Sequence, residues 1–381
     1  LSDAALDGVR ILDLTRLLPG PYASLLLADL GAEVIKVEQP GRGDYLRGIA
    51  PYRFAAVNRN KKSITLDLKA PEGRELFYRL VKTADVVMEG NRPGVMERLG
   101  ADYETLKGYK TDIIYCSISG YGQNGPYMNW TGHDINYMAV AGALAMSGEV
   151  TPPPALPIAD FSSGMFAVIG ILAALQARQR TGQGQMVDVS MTDGVVSWMT
   201  PYLAEYEKTR TVPLPHWSHY GLFRCRDGRY VSIGIVEDWF WENFCHVAGR
   251  PEWSDDPRFK NMESRTQHAA EVESFMNEVF LSRDAATWVQ ILNDNDVPCA
   301  PVNSLEEVIS DAQLRYRGMV DYAEYPEEGR MLQVGHPVRL TQTPASYYEP
   351  PPRQGEHNES VFAAIGVTTT EYRALQSKGV V

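Results

Sequence analysis

A chain of 381 residues, 44% hydrophobic, 22% charged and 10% aromatic, is too long for one small core and too apolar for a disordered polypeptide, so two domains or one large domain with an insertion are expected. Its 36 basic against 48 acidic side chains leave a net charge of −12, which argues against a general nucleic-acid or anionic-membrane surface and leaves room for a local basic pocket. Cys116, Cys225, Cys245 and Cys299 form no C-x-x-C pair and have no histidine at ligand spacing, so no metal site and no disulfide framework is expected, and reduced thiols in the cytoplasm are the default.

The amino-terminal segment has no secretory pattern, and no uninterrupted apolar run of transmembrane length is apparent, so a soluble protein is expected. Residues 9–14 read as a buried strand, Leu18-Pro19-Gly20-Pro21 as a turn, residues 22–30 as a helix stopped by Gly31, and residues 33–38 as a second strand. This is a βαβ unit. Glu38 stands where a ribose-binding acid would, yet Pro-Gly-Pro replaces the G-x-G-x-x-G turn that lets a backbone approach a pyrophosphate, which argues against a nicotinamide enzyme.

Basic residues then recur after successive predicted strands. Arg42 lies in Gly41-Arg42-Gly43-Asp44, Lys61 in the run Asn58-Arg59-Asn60-Lys61-Lys62, and Arg92 and Arg98 in the stretch that opens at Asn91. Loops at the carboxyl ends of an open α/β sheet share one rim, so Lys36, Arg42, Lys61, Arg92 and Arg98 are candidates to converge on a polyphosphate; solvated loop charge is the other reading of each. Between them fall strands at residues 63–68 and 85–88 and a helix at 71–82, with Pro71 and Glu72 at its start. Residues 113–119 form another strand, and Gly120 to Pro126 is a glycine-rich loop.

The densest chemistry lies between Gly132 and Leu175. Gly132-His133-Asp134-Ile135-Asn136-Tyr137 opens it, Pro152-Pro153-Pro154 stiffens it, and Asp160 precedes an apolar helix that runs from Met165 through Leu175 to Arg178. Asp160 is expected at or just ahead of that helix's N-terminus, either as an N-cap, as a catalytic carboxylate, or as both. His133 reads equally as a structural hydrogen-bonding histidine or as a base. A strand at 185–189 and a helix at 192–207 follow, and Arg210 to Ser218, with Pro213 and Pro215, is the expected domain boundary.

Beyond it, residues 220–225 and 230–234 form a hairpin about Asp227-Gly228, followed by Glu237 and by helices at 239–248, 271–281 and 285–293. The organisation expected is a large Rossmann-like domain over 1–209, a small α+β domain over 210–325, and a linker and helix over 326–381 that return to the large domain. The last helix is expected at 359–365, with Gly366 as its stop.

The whole chain resembles the class III CoA-transferase family, which includes formyl-CoA and carnitine CoA-transferases and 2-methylacyl-CoA racemases. The residues that carry the resemblance are Gly20-Pro21-Tyr22-Ala23, the run Leu27 to Glu38, Arg92-Pro93-Gly94 with Glu97-Arg98-Leu99-Gly100, Gly132-His133-Asp134, Asp160 with Gly170 to Leu175, Thr181 to Gln185, Asp255 to Phe259, and Gly355-Glu356-His357. It implies an α/β fold of two domains whose long linkers interlock two chains as a homodimer. It also implies a coenzyme A thioester as substrate, with no permanently bound cofactor. Arg98, Arg92, Arg42, Lys61 and Asn91 are the CoA-binding candidates, Arg42 standing in for an arginine where this chain has Gln39.

In the transferases of that family the aspartate matching Asp160 attacks the thioester carbonyl, and CoA passes from one carboxylic acid to another through covalent aspartyl intermediates. In the racemases the matching aspartate and histidine exchange a proton on the carbon beside the thioester. Here His133, supported by Glu237, matches the racemase pair, whereas the spacing from Asp160 to the helix matches the transferases. A transferase with Asp160, His133 and Glu237 at its catalytic centre is the first expectation, a racemase using His133 and Asp160 the alternative, and a non-catalytic acyl-CoA binder the third. No nucleic-acid or membrane partner is expected.

Overall fold

A computed structural model describes residues 4–212, 217–325, 329–346 and 349–381. Two compact units divide the chain, one formed by Leu1–Arg210 with Gly318–Val381 and the other by Thr211–Arg317. The carboxyl-terminal segment therefore rejoins the first unit at Gly318, ahead of the expected 325. Pro213 and Pro215, on which the other expected boundary rests, lie outside the described residues.

The first unit is built on a sheet of β1 (Arg10–Asp13), β2 (Glu33–Glu38), β3 (Lys61–Thr65), β4 (Val86–Glu89), β5 (Ile114–Ser119) and β6 (Met186–Ser190). Its order is β3-β2-β1-β4-β5-β6 and every pairing is parallel. This is the order of a doubly wound Rossmann-like fold, as the βαβ reading leads one to expect. A parallel sheet is covered on both faces, so its strands are apolar throughout rather than alternating. Successive side chains still part company: Leu12, Ile35, Ile64 and Val87 enter one core layer, while Ile11, Val34, Val86 and Met88 enter the other.

The second layer holds the Pro19–Asp29 and Ile158–Thr181 helices. They approach closely because position 164 is glycine; a Cβ there would sit 2.9 Å from the Pro19 carbonyl oxygen. The Ile158–Thr181 helix is long and apolar enough to span a membrane by length and composition, contrary to the expectation from the sequence. In this fold it is a core helix, with Ile171, Ala174 and Leu175 buried against the sheet.

The return segment is stitched along the sheet edge. Asn358 Oδ1 accepts the Thr65 N–H at 2.8 Å and His357 Nδ1 accepts that of Ser63 at 3.2 Å, so β3 presents fewer free donors than a bare edge would. A hairpin of β10 (Val320–Tyr325) and β11 (Gly329–Val334) docks through Arg59, which donates to Gln333 Oε1 and Val334 O at 2.9 and 2.8 Å and holds Asp29 with two nitrogens. The chain does not end after the Asn358–Ala364 helix. A further helix, Thr369–Ser377, buries Tyr372 and Leu375 in the core; its signal was Thr368, whose hydroxyl caps the Glu371 N–H at 3.2 Å.

The second unit pairs β7 (Tyr220–Arg224) with β8 (Tyr230–Gly234) and β8 with β9 (Cys299–Pro301), all antiparallel. Its helices Asp238–Val247, Ala269–Phe280 and Ala285–Asp294 close an aromatic core of Trp241, Phe244, Phe275, Phe280 and Trp288. The predicted hairpin and α+β character are both present.

Arg59 and Asp29 are both buried. Removing one member of such a pair leaves an uncompensated interior charge, so Arg59→Met should cost about 3–5 kcal/mol of stability in urea titration. Exposed Arg250, 3.6 Å from Glu252, is the control; Arg250→Met should change stability by less than about 1 kcal/mol.

Candidate active site

Strand order reverses between β1 and β4, and the crevice outside their carboxyl ends is where an open α/β sheet takes ligands. A cavity of about 650 Å³ lies there. Its wall is formed by residues 15–17 after β1, Asn91 to Pro93 after β4, Ser119 to Tyr121 after β5, and the stretch carrying Gly132, His133, Asn136 and Tyr137, with Asp160 and Met191 beside them. His133 and Asp160, 27 positions apart in sequence, thus face one space.

Asp160 is not an N-cap. The helix begins at Ile158 with Pro157 in the cap position, which places Asp160 in the first turn. The helix is capped instead from its neighbour: Asp134, first residue of the Asp134–Ala141 helix, accepts the Asp160 backbone N–H on Oδ1 at 3.1 Å. The Asp160 carboxyl oxygens accept no hydrogen bond among the described residues. Burial, and then the charge of Asp134, push its pKa up to about 7.

His133 occupies the cap position of the Asp134–Ala141 helix, its backbone N–H donating to Asn136 Oδ1 at 3.0 Å while its side chain is exposed to the cavity. Tyr137 locks this stretch by donating its phenol to Gly132 O at 2.5 Å. The glycine-rich loop makes room for that ring, since a Cβ on Gly120 would come within 2.4 Å of Tyr137 Cε1.

Beneath the cavity lies a set of buried charges. Asp13 at the end of β1 accepts from the Thr15 N–H and the Ser24 hydroxyl at 2.9 and 2.5 Å and lies 3.5 Å from Lys61 Nζ. Burial opposes its ionisation, but Lys36, Lys61 and the Ser24 and Thr15 hydroxyls together outweigh that and hold its pKa below the usual value. Lys36 pairs with Asp44 at 2.9 Å and donates to Thr15 O at 3.0 Å. Glu38 accepts from the Arg47 guanidinium, the Ser63 hydroxyl and the Asp44 N–H.

This set corrects two expectations. Lys61 is no phosphate ligand, because its ammonium is wholly buried and donates to Pro21 O and Asn58 Oδ1 at 3.0 and 2.9 Å; burial pulls its pKa down to about 7. Lys36 is likewise internal, and the run from Asn58 to Lys62 serves the fold through Arg59, Asn60 and Lys61. Glu38 has no free oxygen for a ribose, in agreement with the reading against a nicotinamide enzyme.

Arg16 is the residue that the sequence reading missed. Leu17 adopts φ +65°, a left-handed conformation that costs a leucine roughly 1–2 kcal/mol and is held here by the Asp44 carboxylate on its N–H at 3.2 Å. That sharp turn brings Arg16 into the wall, where its guanidinium donates to Tyr45 Oη and Asn91 Oδ1, both at 2.9 Å. A basic residue after the first strand of a βαβ unit was the available signal. Arg16 and Asn91 also line a second cavity of about 240 Å³, whose floor is Leu14, Val37, Leu66, Leu68, Met96 and Leu99.

The remaining candidates are dispersed. Arg92 lines the larger cavity, whereas Arg42 and Arg98 line neither; Arg42 is exposed over the Tyr45 ring at 4.7 Å and Arg98 ends the short Val95–Arg98 helix. Glu237 belongs to the second unit, in the cap position of the Asp238–Val247 helix.

A doubly wound sheet with a basic crevice and an uncommitted carboxyl group defines an α/β enzyme that handles anionic ligands at its switch point. The sequence profile of CoA-transferase family III matches residues 6–358, and the chain belongs to that family. It is a transferase that moves CoA between acids. Similar proteins include the succinyl-CoA:glutarate CoA-transferase of Mus musculus, 35% identical over 94% of this chain and 86% of that one. Another is the succinyl-CoA–D-citramalate CoA-transferase of Chloroflexus aurantiacus, 34% identical over 99% and 98%. Among solved structures, a CAIB/BAIF family protein from Brucella suis superposes with a TM-score of 0.85 at 30% identity, covering 95% of this chain and 99% of its own. The mouse and Chloroflexus relatives are named as CoA-transferases, and the racemase alternative is not favoured.

A pKa raised from 3.8 to about 7 means that folded Asp160 holds its proton more tightly than the unfolded chain does, so stability falls as pH rises through that window. Asp160→Asn removes the ionisation. Its Tm should exceed that of the natural protein at pH 8 and match it near pH 4, as read by thermal melts across pH.

Proposed function

We propose that the protein transfers CoA between two carboxylic acids through covalent intermediates on Asp160. Ionised Asp160 attacks the thioester carbonyl, the C–S bond breaks, and CoA leaves as its thiolate from a mixed aspartyl–acyl anhydride. The thiolate attacks the aspartyl carbonyl and expels the first acid, leaving an aspartyl-CoA thioester. The second acid attacks that thioester to form a new anhydride, and the thiolate returns to the acyl carbon, which yields the product thioester and restores Asp160. No proton is gained or lost over the cycle.

The observation that carries this reading is the state of the Asp160 carboxyl. Asp13, Glu38 and Glu89 have their oxygens engaged by donors, whereas the Asp160 carboxyl is partly buried, accepts no hydrogen bond among the described residues, and lines the cavity. Burial makes its carboxylate a stronger base and so a better nucleophile than a solvated one. The helix it sits on turns its positive end toward the oxyanion that forms during each attack. His133 lines the same cavity as a donor for that oxyanion.

The CoA moiety is assigned to the two linked cavities, with the adenine on the apolar floor of the smaller one and the diphosphate near Arg16 and Asn91, which border both. Arg42 and Arg98, exposed beside Gly43 and Leu99 of that smaller cavity, serve the outer phosphate. Two relatives are named for succinate with glutarate or citramalate, acids with two carboxylates, and a third for formate and oxalate, so short acids, most of them with two carboxylates, are the range assigned to this chain. An interlocked homodimer in the cytoplasm is part of the reading. Its support is the Thr200–Thr209 helix, which buries none of its residues and exposes Tyr202, Leu203 and Tyr206, together with exposed Met165 and Ile169.

Incubation with an acyl-CoA and hydroxylamine should leave a hydroxamate on Asp160 by peptide mass mapping. Asp160→Ala should abolish that adduct and reduce turnover roughly 10⁴-fold or more. Turnover unaffected in Asp160→Ala overturns the proposal. The rate of anhydride formation should rise with pH and level off above about 7, because the carboxylate is the attacking form.

A further inference from the structure

Two arginines line the larger cavity, and they are held differently. The Arg16 guanidinium is committed to Tyr45 and Asn91, whereas the Arg92 guanidinium has no hydrogen bond or ion pair among the described residues. Arg16 borders both cavities, whereas Arg92, like Asp160, lines only the larger. The phenol of Tyr137 senses both residues: after burial and Tyr121, the Asp160 charge raises its pKa and the Arg92 charge lowers it.

The strap carrying Arg92 is fixed on either side. The Asn91 N–H donates to Glu89 Oε2 at 2.7 Å, Asn91 Nδ2 lies 3.3 Å from Met96 Sδ, and Pro93 confines the Arg92 backbone to an extended conformation. Asp160 is the one acid among the described residues lining this cavity. An unpaired guanidinium thus lines the same cavity as a carboxyl that is to receive an acyl group, with no protein anion paired to it.

We propose that Arg92 binds a second, free carboxylate on the acid being transferred, so that the protein selects dicarboxylic acids, and that Arg92 is not a ligand of the CoA phosphates. This rests on the covalent reading above. A planar guanidinium takes a carboxylate through two parallel N–H donors, and a monocarboxylic acid of equal length leaves that charge unmatched. The resulting preference is about 10²-fold, the scale of one charge-assisted contact.

The test compares the monothioester of pentanedioic acid, pentanedioyl-CoA, with pentanoyl-CoA, using hydroxylamine-trapped turnover. The two differ only at the far end of the acyl group, so any contribution from CoA cancels in their ratio. The natural protein should favour pentanedioyl-CoA by about 10²-fold in kcat/KM. In Arg92→Met the ratio should collapse toward one, with Arg92→Lys between. A ratio near one in the natural protein overturns the inference, as does an equal fall on both thioesters with a raised KM, the sign of a phosphate ligand. If neither thioester labels Asp160, the covalent reading fails on its own. Calorimetry with free pentanedioate and pentanoate then decides for Arg92: selective binding that Arg92→Met abolishes sustains its role, and equal binding discards it.

Discussion

The crevice depends on charges that never reach it. Lys36 and Asp44 attract each other by roughly 6 kcal/mol at 2.9 Å with an effective dielectric near 20, and taking each ion out of water costs several kcal/mol, so the pair adds little net stability. Its contribution is positional. Asp44 holds the Leu17 and Leu46 N–H groups, Lys36 holds the Thr15 carbonyl, and Glu38 clamps Arg47, whose other end reaches the Pro352 carbonyl. Because each link is charged and buried, the loops after β1 and β2 have few alternative arrangements that leave every ion paired. The arginine-bearing turn is thus set before any ligand arrives.

The same distinction between inner and outer charge explains what the sequence could and could not convey. The βαβ unit was legible because Gly31 separates two unlike patterns, and the Asp227-Gly228 hairpin because its turn chemistry is local. Asp160 and His133 were legible as motif residues. The lysines misled, since a strand position says that a side chain leaves one face of the sheet and nothing about whether a carboxylate waits there. Lys61 meets Asp13, 48 positions away in sequence, and Arg59 meets Asp29, 30 away; neither partner is marked by spacing. Arg16 was passed over because its neighbours read only as a turn.

Misplacing Asp160 by a few residues had the same origin. The sequence offered an aspartate just ahead of an apolar helical run, which is the local signature of a cap, and local signatures assume that a helix supplies its own. Here the neighbouring helix supplies it, across 26 positions of sequence. The consequence is functional, because a side chain that caps its own helix turns back onto the backbone, and Asp160 is released from that duty.

Burial is the larger cause of the raised Asp160 pKa, and one carboxylate, Asp134, adds to it while also fixing the residue's place. As an acceptor it fixes where the aspartate's backbone sits, and as an anion it makes that aspartate harder to ionise. Position and basicity are consequently inherited together. An asparagine at 134 would keep the acceptor while removing the charge, giving a lineage of this fold a way to make its nucleophile more acidic without moving it, and so to retune the enzyme to a different working pH by a single atom's exchange.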